Sequence, residues 1–173
     1  MFRVAVWEPL SGKVAGLIRD WLARQSGGPS VALCRGDTPG AFCGAYDLFV
    51  VGTMVAPACH SERSEESFRP FATLRVTCRA LLTPGDGGTD TLAISSKWVV
   101  SYGLAVRDSI TVSSLEPDHA VLALQRELVT LDGAVIERQE LPLPIPPNTG
   151  AEGVMALYGS LLILGVPPEE LGR

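Results

Sequence analysis

Lysine is nearly missing from this chain: of its 14 basic residues only Lys13 and Lys97 are lysines, and the arginines are scattered. The formal net charge is −5. Without a basic stripe there is no electrostatic footprint for a polynucleotide, so no nucleic-acid partner is expected. The same balance says nothing against a single nucleotide. Histidine is as scarce, with only His60 and His119. No serine or cysteine elbow accompanies them, which leaves a hydrolase triad without support. Cys34, Cys43, Cys59 and Cys78 contain no C-x-x-C pair. They read as small apolar residues rather than as a zinc site or a disulfide framework. Long apolar runs are absent too. The best candidate, Val154 to Val166, is broken by glycine and serine and is too short to span a bilayer. The N-terminus enters strand-like sequence without a signal-peptide pattern, so the expected location is cytoplasmic, away from membranes.

What remains suits one domain over residues 1–173. Phe2 to Trp7 alternates and is rich in valine, as a buried strand does. From Gly12 to Arg24, the residues Val14, Leu17, Ile18, Trp21 and Leu22 recur at helical spacing. Ser30 to Cys34 and Tyr46 to Val51 are further apolar strands, separated by the loop Gly36 to Gly40. Strands joined through a helix by short connections predict an α/β sheet, mostly parallel and flanked by helices, of P-loop or Rossmann-like type. Leu74 to Leu82 returns to strand-like alternation, and Thr91 to Ser96 is read as a short helix. After residue 97 the chain turns β-rich. Strands are expected over Trp98–Tyr102, Ser109–Leu115, Ala120–Glu127 and Val135–Leu141, forming a small antiparallel part. Prolines hold Leu141 to Asn148 extended, and Ala151 to Leu164 is an apolar helix ended by Gly165.

The most informative segment is Val4 to Val14, which reads as strand, Gly12-Lys13 turn and helix. A working phosphate loop, G-x-x-x-x-G-K-[ST], needs a glycine six residues before the lysine and a hydroxyl after it. Trp7 and Val14 stand at those positions. The first removes backbone freedom for wrapping a phosphate, and the second removes the hydroxyl that would hold Mg²⁺. Ser11, Gly12 and Lys13 remain as candidates for a weak anion, phosphate or nucleotide site at a helix N-terminus. A solvated lysine in the first helical turn is the plainer reading.

Six segments, in this order, resemble the central ATP-binding domain of the Mur ligase family. They are the Gly12-Lys13 opening, Gly36-Asp37-Thr38-Pro39-Gly40, the strand Tyr46 to Val51, the turn Thr83-Pro84-Gly85-Asp86, the strand Val99 to Leu104, and Leu141 to Pro144 followed by a helix and Leu164-Gly165-Val166. The resemblance implies a fold of that kind and an ancestral ATP–Mg²⁺ site. It also marks what is gone. Gly52 stands where the family's second strand ends in a magnesium-binding glutamate. Gly150 and Gly153 stand near the asparagines that approach the nucleotide base. Only Asp86 survives of the Asn-x-Asp-Asp turn. The family's catalytic segment and its C-terminal domain find no counterpart. A second likeness is local: Cys59 to Arg69 resembles the peptide encoded by a bacterial dispersed DNA repeat. Residues 58–72 are therefore expected to be an inserted, exposed loop.

Phosphoryl transfer rests on positioned charge, so losing glycine, hydroxyl and carboxylate together speaks against ATP-driven ligation. The expectation is a non-catalytic domain without a cofactor: a scaffold, an interaction partner or an anion sensor. The alternative is a small enzyme or nucleotide-binding protein using Lys13, Asp47 and Asp86 in the cleft at the strand C-termini. A decaying gene product is a third reading. The helix 151–164, apolar on much of its circumference, is either buried or a self-association surface.

Overall fold

The computed structural model describes residues 1–25, 27–52, 76–85 and 94–172. The expected insertion at 58–72, His60, Asp86 and the first part of the helix read at Thr91 to Ser96 lie outside them.

Among the described residues, ten strands and two α-helices follow one another: β1 (Phe2–Trp7), α1 (Val14–Arg24), β2 (Val31–Gly36), β3 (Ala45–Val51), β4 (Val76–Pro84), β5 (Ile94–Tyr102), β6 (Ile110–Leu115), β7 (His119–Leu124), β8 (Leu128–Val129), β9 (Val135–Ile136), β10 (Glu140–Pro144) and α2 (Ala151–Ile163). Short 3₁₀ turns occupy Pro39–Ala41 and Pro168–Glu170. Eight strands form one sheet in the order β10-β7-β6-β5-β4-β3-β1-β2, while β8 and β9 form a separate antiparallel pair. The five strands β1 to β5 pair in parallel, in the order β2-β1-β3-β4-β5. The expected mostly parallel α/β sheet is present.

Two expectations about its later part need correction. Of the strands after residue 97, only β8 and β9 form a small antiparallel sheet of their own, and the others continue the main sheet. Tyr102 of β5 pairs in parallel with Ile110 of β6, and β6, β7 and β10 then run antiparallel. The segment read as a helix ends differently as well: Ile94 to Ser96 is the start of β5, in register with Val76 to Cys78. Pairing to β4 outweighs a local helical pattern too short to nucleate.

Period-two alternation assigns the faces of the sheet. Val4 and Val6 of β1 join Leu48, Val50, Leu82 and Tyr102 under both helices, whereas Ala5 and Trp7 face the other side with Phe42, Phe49 and Cys78. Both helices thus lie on one face of the sheet. Every residue of α2 from Val154 to Ile163 is buried. The apolar circumference of this helix is covered within the chain by α1 and the sheet. Its polar groups are satisfied locally: the Ser160 hydroxyl donates to the Ala156 carbonyl at 2.6 Å, and the Tyr158 hydroxyl to the Pro144 carbonyl at 2.6 Å. Gly159 lets α2 sit close on the sheet, since a β-carbon there would stand 2.8 Å from Cδ1 of Ile110. No helix among the described residues is long and apolar enough to cross a membrane.

Candidate functional site

The parallel strands end along one edge of the sheet, and the loop Glu8 to Lys13 leaves β1 there to start α1. The amide of Glu8 donates to the Gly36 carbonyl at 3.0 Å, which extends the β1–β2 ladder by one step. Its side chain then turns beneath the helix. Oε2 accepts from the Val14 amide at 2.8 Å, and Oε1 accepts from the Ala15 amide at 3.2 Å and pairs with Nε of Arg35 at 2.9 Å. Glu8 is only 1% exposed. The first free N–H groups of a helix favour an anion there. In this chain its own carboxylate fills that position.

The loop is built around this contact. Nη2 of Arg35 donates to the carbonyls of Pro9 at 2.8 Å, Leu10 at 2.7 Å and Gly12 at 3.3 Å. One guanidinium thereby holds the turn and neutralises the carboxylate inside it. Two glycines make room. A β-carbon on Gly12 would lie 2.6 Å from Oε2 of Glu8, and one on Gly52 would lie 2.9 Å from its Cβ.

The three residues singled out from sequence are adjacent but not equivalent. Gly12 packs on Glu8. Ser11 is exposed. Lys13 occupies the N-cap position of α1, and its Nζ donates to the Asn148 carbonyl at 3.2 Å, reaching across to the segment that leads into α2. Trp7, which replaces the loop glycine, is buried on the face away from α1, with its indole Nε1 donating to the Asp37 carbonyl at 3.3 Å. The group that fills the loop is therefore Glu8 and not Trp7.

Between the N-termini of α1 and α2 opens a cleft of about 500 Å³, lined by Gly12, Lys13, Leu17, Leu104 and residues 148–153. Asn148 adopts φ +57°, a left-handed conformation that asparagine tolerates, and Gly150 caps α2 without a side-chain hydrogen bond. A smaller recess of about 290 Å³ adjoins it and shares Leu104 and Glu152. There Asp108, 2% exposed, accepts from the Ala105 amide at 3.0 Å through Oδ2, while Oδ1 has no hydrogen-bond partner among the described residues. Gly85 and Gly103 flank this carboxylate so closely that a β-carbon would stand 1.7 Å and 2.5 Å from its oxygens.

Asp47 does not join Lys13. It lies in the first half of β3, four residues before Val51, or ~13 Å from the strand end at strand rise. There it accepts from the Arg3 amide at 2.8 Å and from Arg79 at 3.3 Å. The grouping of Lys13 with Asp47 in one cleft is thereby corrected.

A nucleotide-bound magnesium ion does not fit the described residues around the loop. Val14 is buried and offers no hydroxyl, Gly52 offers no carboxylate, and Glu8 is committed to two amides and Arg35. Glu8 and Arg35 were not among the residues singled out from sequence. The sole hint is an acid directly after an apolar strand and shortly before a helix. Compared with known protein families and with curated proteins, the chain matches none.

Proposed function

We propose that this chain is a degenerate relative of the Mur ligase central domain, acting as a non-catalytic binding or scaffold module whose phosphate loop is occupied by its own Glu8. The observation that carries this reading is the Glu8 carboxylate on the Val14 and Ala15 amides, sealed by Arg35. A nucleotide phosphate needs those same amides. Two further features support it. Gly12-Lys13 and the start of α2 at Gly150 and Gly153 border one cleft, although about 140 positions separate them in sequence. That is where the family resemblance puts the phosphate end and the base end of a nucleotide. Gly52, at the end of the strand next to β1, lies against Glu8 rather than offering a magnesium ligand.

Isothermal titration with ATP–Mg²⁺ and with ADP tests the proposal, alongside a phosphate-release assay. The expected result is no saturable heat and no turnover. Micromolar binding, or release of phosphate above a heat-inactivated control, overturns it.

A further inference from the structure

We infer that the free edge of β2 is a self-association surface, at which a second copy of this chain adds its own β2 in antiparallel register. This goes beyond the loop-occupancy reading and does not depend on it. The two ends of the eight-stranded sheet are unlike. At one end β10 carries Pro142 and Pro144, and a proline cannot donate to an incoming strand. At the other, β2 is six residues of sequence VALCRG with no proline. Its inner hydrogen bonds are accounted for. The amide of Phe2 donates to the Ser30 carbonyl and that of Glu8 to the Gly36 carbonyl. The parallel register between them turns the backbone groups of Ser30, Ala32, Cys34 and Gly36 toward β1. The N–H and C=O groups of Val31, Leu33 and Arg35 therefore point outward, and among the described residues no strand pairs with them. Three donors and three acceptors at alternate residues are the pattern that another extended strand satisfies.

Self-complementarity selects a second copy. Pairing about a two-fold axis at Leu33 sets Leu33 opposite Leu33, Ala32 opposite Cys34 and Val31 opposite Arg35, and the association closes at two chains. No like charges meet. The sole charge on the strand, Arg35, is already drawn to Glu8 and the loop carbonyls. A strand of this length spans about 20 Å, and alone it buries less than the ~800 Å² per partner of a stable interface. The dimer is therefore concentration-dependent.

Sedimentation equilibrium over a range from micromolar to millimolar chain is the test. Wild type is expected to rise from one-chain toward two-chain mass. Val31→Pro removes an outward N–H at the first strand position, where proline is tolerated, and Leu33→Lys places a charge on the edge. Both are expected to stay at one-chain mass. Hydrogen exchange on wild type supplies a readout that needs no variant: the amides of Val31, Leu33 and Arg35 gain protection as concentration rises. A one-chain mass throughout, a dimer that persists in a folded Val31→Pro chain, open-ended larger species, or those three amides exchanging freely in the dimer each overturns the inference.

Discussion

Gly52 and Glu8 lie so close that a β-carbon on the glycine would stand 2.9 Å from Cβ of the glutamate. The Gly52 amide also donates to the Trp7 carbonyl at 2.7 Å, so the backbone around this contact has little room to retreat. Replacing Gly52 by alanine is expected to destabilise the chain by about 1–3 kcal/mol through overpacking. Denaturant titration measures it. Repeating the substitution in a Glu8→Gly background tests the cause, because the loss should shrink when the opposing β-carbon is removed. An equal loss in both backgrounds would assign it to something other than this contact.

Removing the Glu8 carboxylate leaves the amides of Val14 and Ala15 and Nε of Arg35 without their acceptor. Glu8→Ala is expected to lower stability by about 1–3 kcal/mol, the cost of unsatisfied buried donors. Orthophosphate should then raise the melting temperature of this variant beyond the general salting effect seen in wild type. Adding Arg35→Ala should abolish the difference. Identical phosphate responses in wild type and Glu8→Ala would remove the idea that the carboxylate stands in for an oxyanion.

Gly85 and Gly103 predict a second coupled pair of defects. A β-carbon at Gly85 would fall 1.7 Å from Oδ1 of Asp108, and one at Gly103 would fall 2.5 Å from Oδ2. Gly85→Ala should be the more damaging substitution. Asp108→Ala should recover part of its loss despite giving up the bond to the Ala105 amide. Thermal melts of the two single variants and the double variant decide this, and failure of the double variant to recover would rule the carboxylate out as the obstacle.

Alkali should weaken the fold in two stages. Burial pushes the Cys78 thiol up from 9.0 to about 11. Burial also pushes the Tyr158 phenol from 10.0 to about 12, against a lesser opposing pull from Arg24. In both cases the unfolded chain loses its proton first. The contribution is complete below the unfolded value and is lost as pH rises through the folded one. Stability should therefore fall from about pH 9 to 11 on account of Cys78, and from about pH 10 to 12 on account of Tyr158. Cys78→Ala should flatten the first stage and Tyr158→Phe the second in pH-dependent denaturant titrations. Among the described cysteines, exposed Cys43 should alkylate at neutral pH well before Cys78.

The parallel half of the sheet was legible because valine-rich alternation in β1 and β3 and helical spacing in α1 are strong local signals. The burial of α2 was legible as one of two readings, from apolar residues all round its circumference. Other features depend on tertiary placement. The union of β5 with β6 rests on the single pair Tyr102–Ile110, which leaves no periodic trace. The Glu8 side chain reaches the helix through a loop whose path is set by Arg35, 27 positions away. The cleft joins Lys13 to Asn148 only because α1 and α2 pack together with their N-termini at one edge of the sheet. Pattern reading finds a Gly-Lys turn, but it does not reveal which group the turn encloses.

A covalently attached occupant cannot be diluted, washed out or competed away by mass action at ordinary concentrations. On the proposed reading, the corner of the molecule where β1 becomes α1 is thereby insulated from the supply of phosphate around it. The acceptor for its helix N–H groups is present from synthesis and does not wait on an encounter with a small molecule.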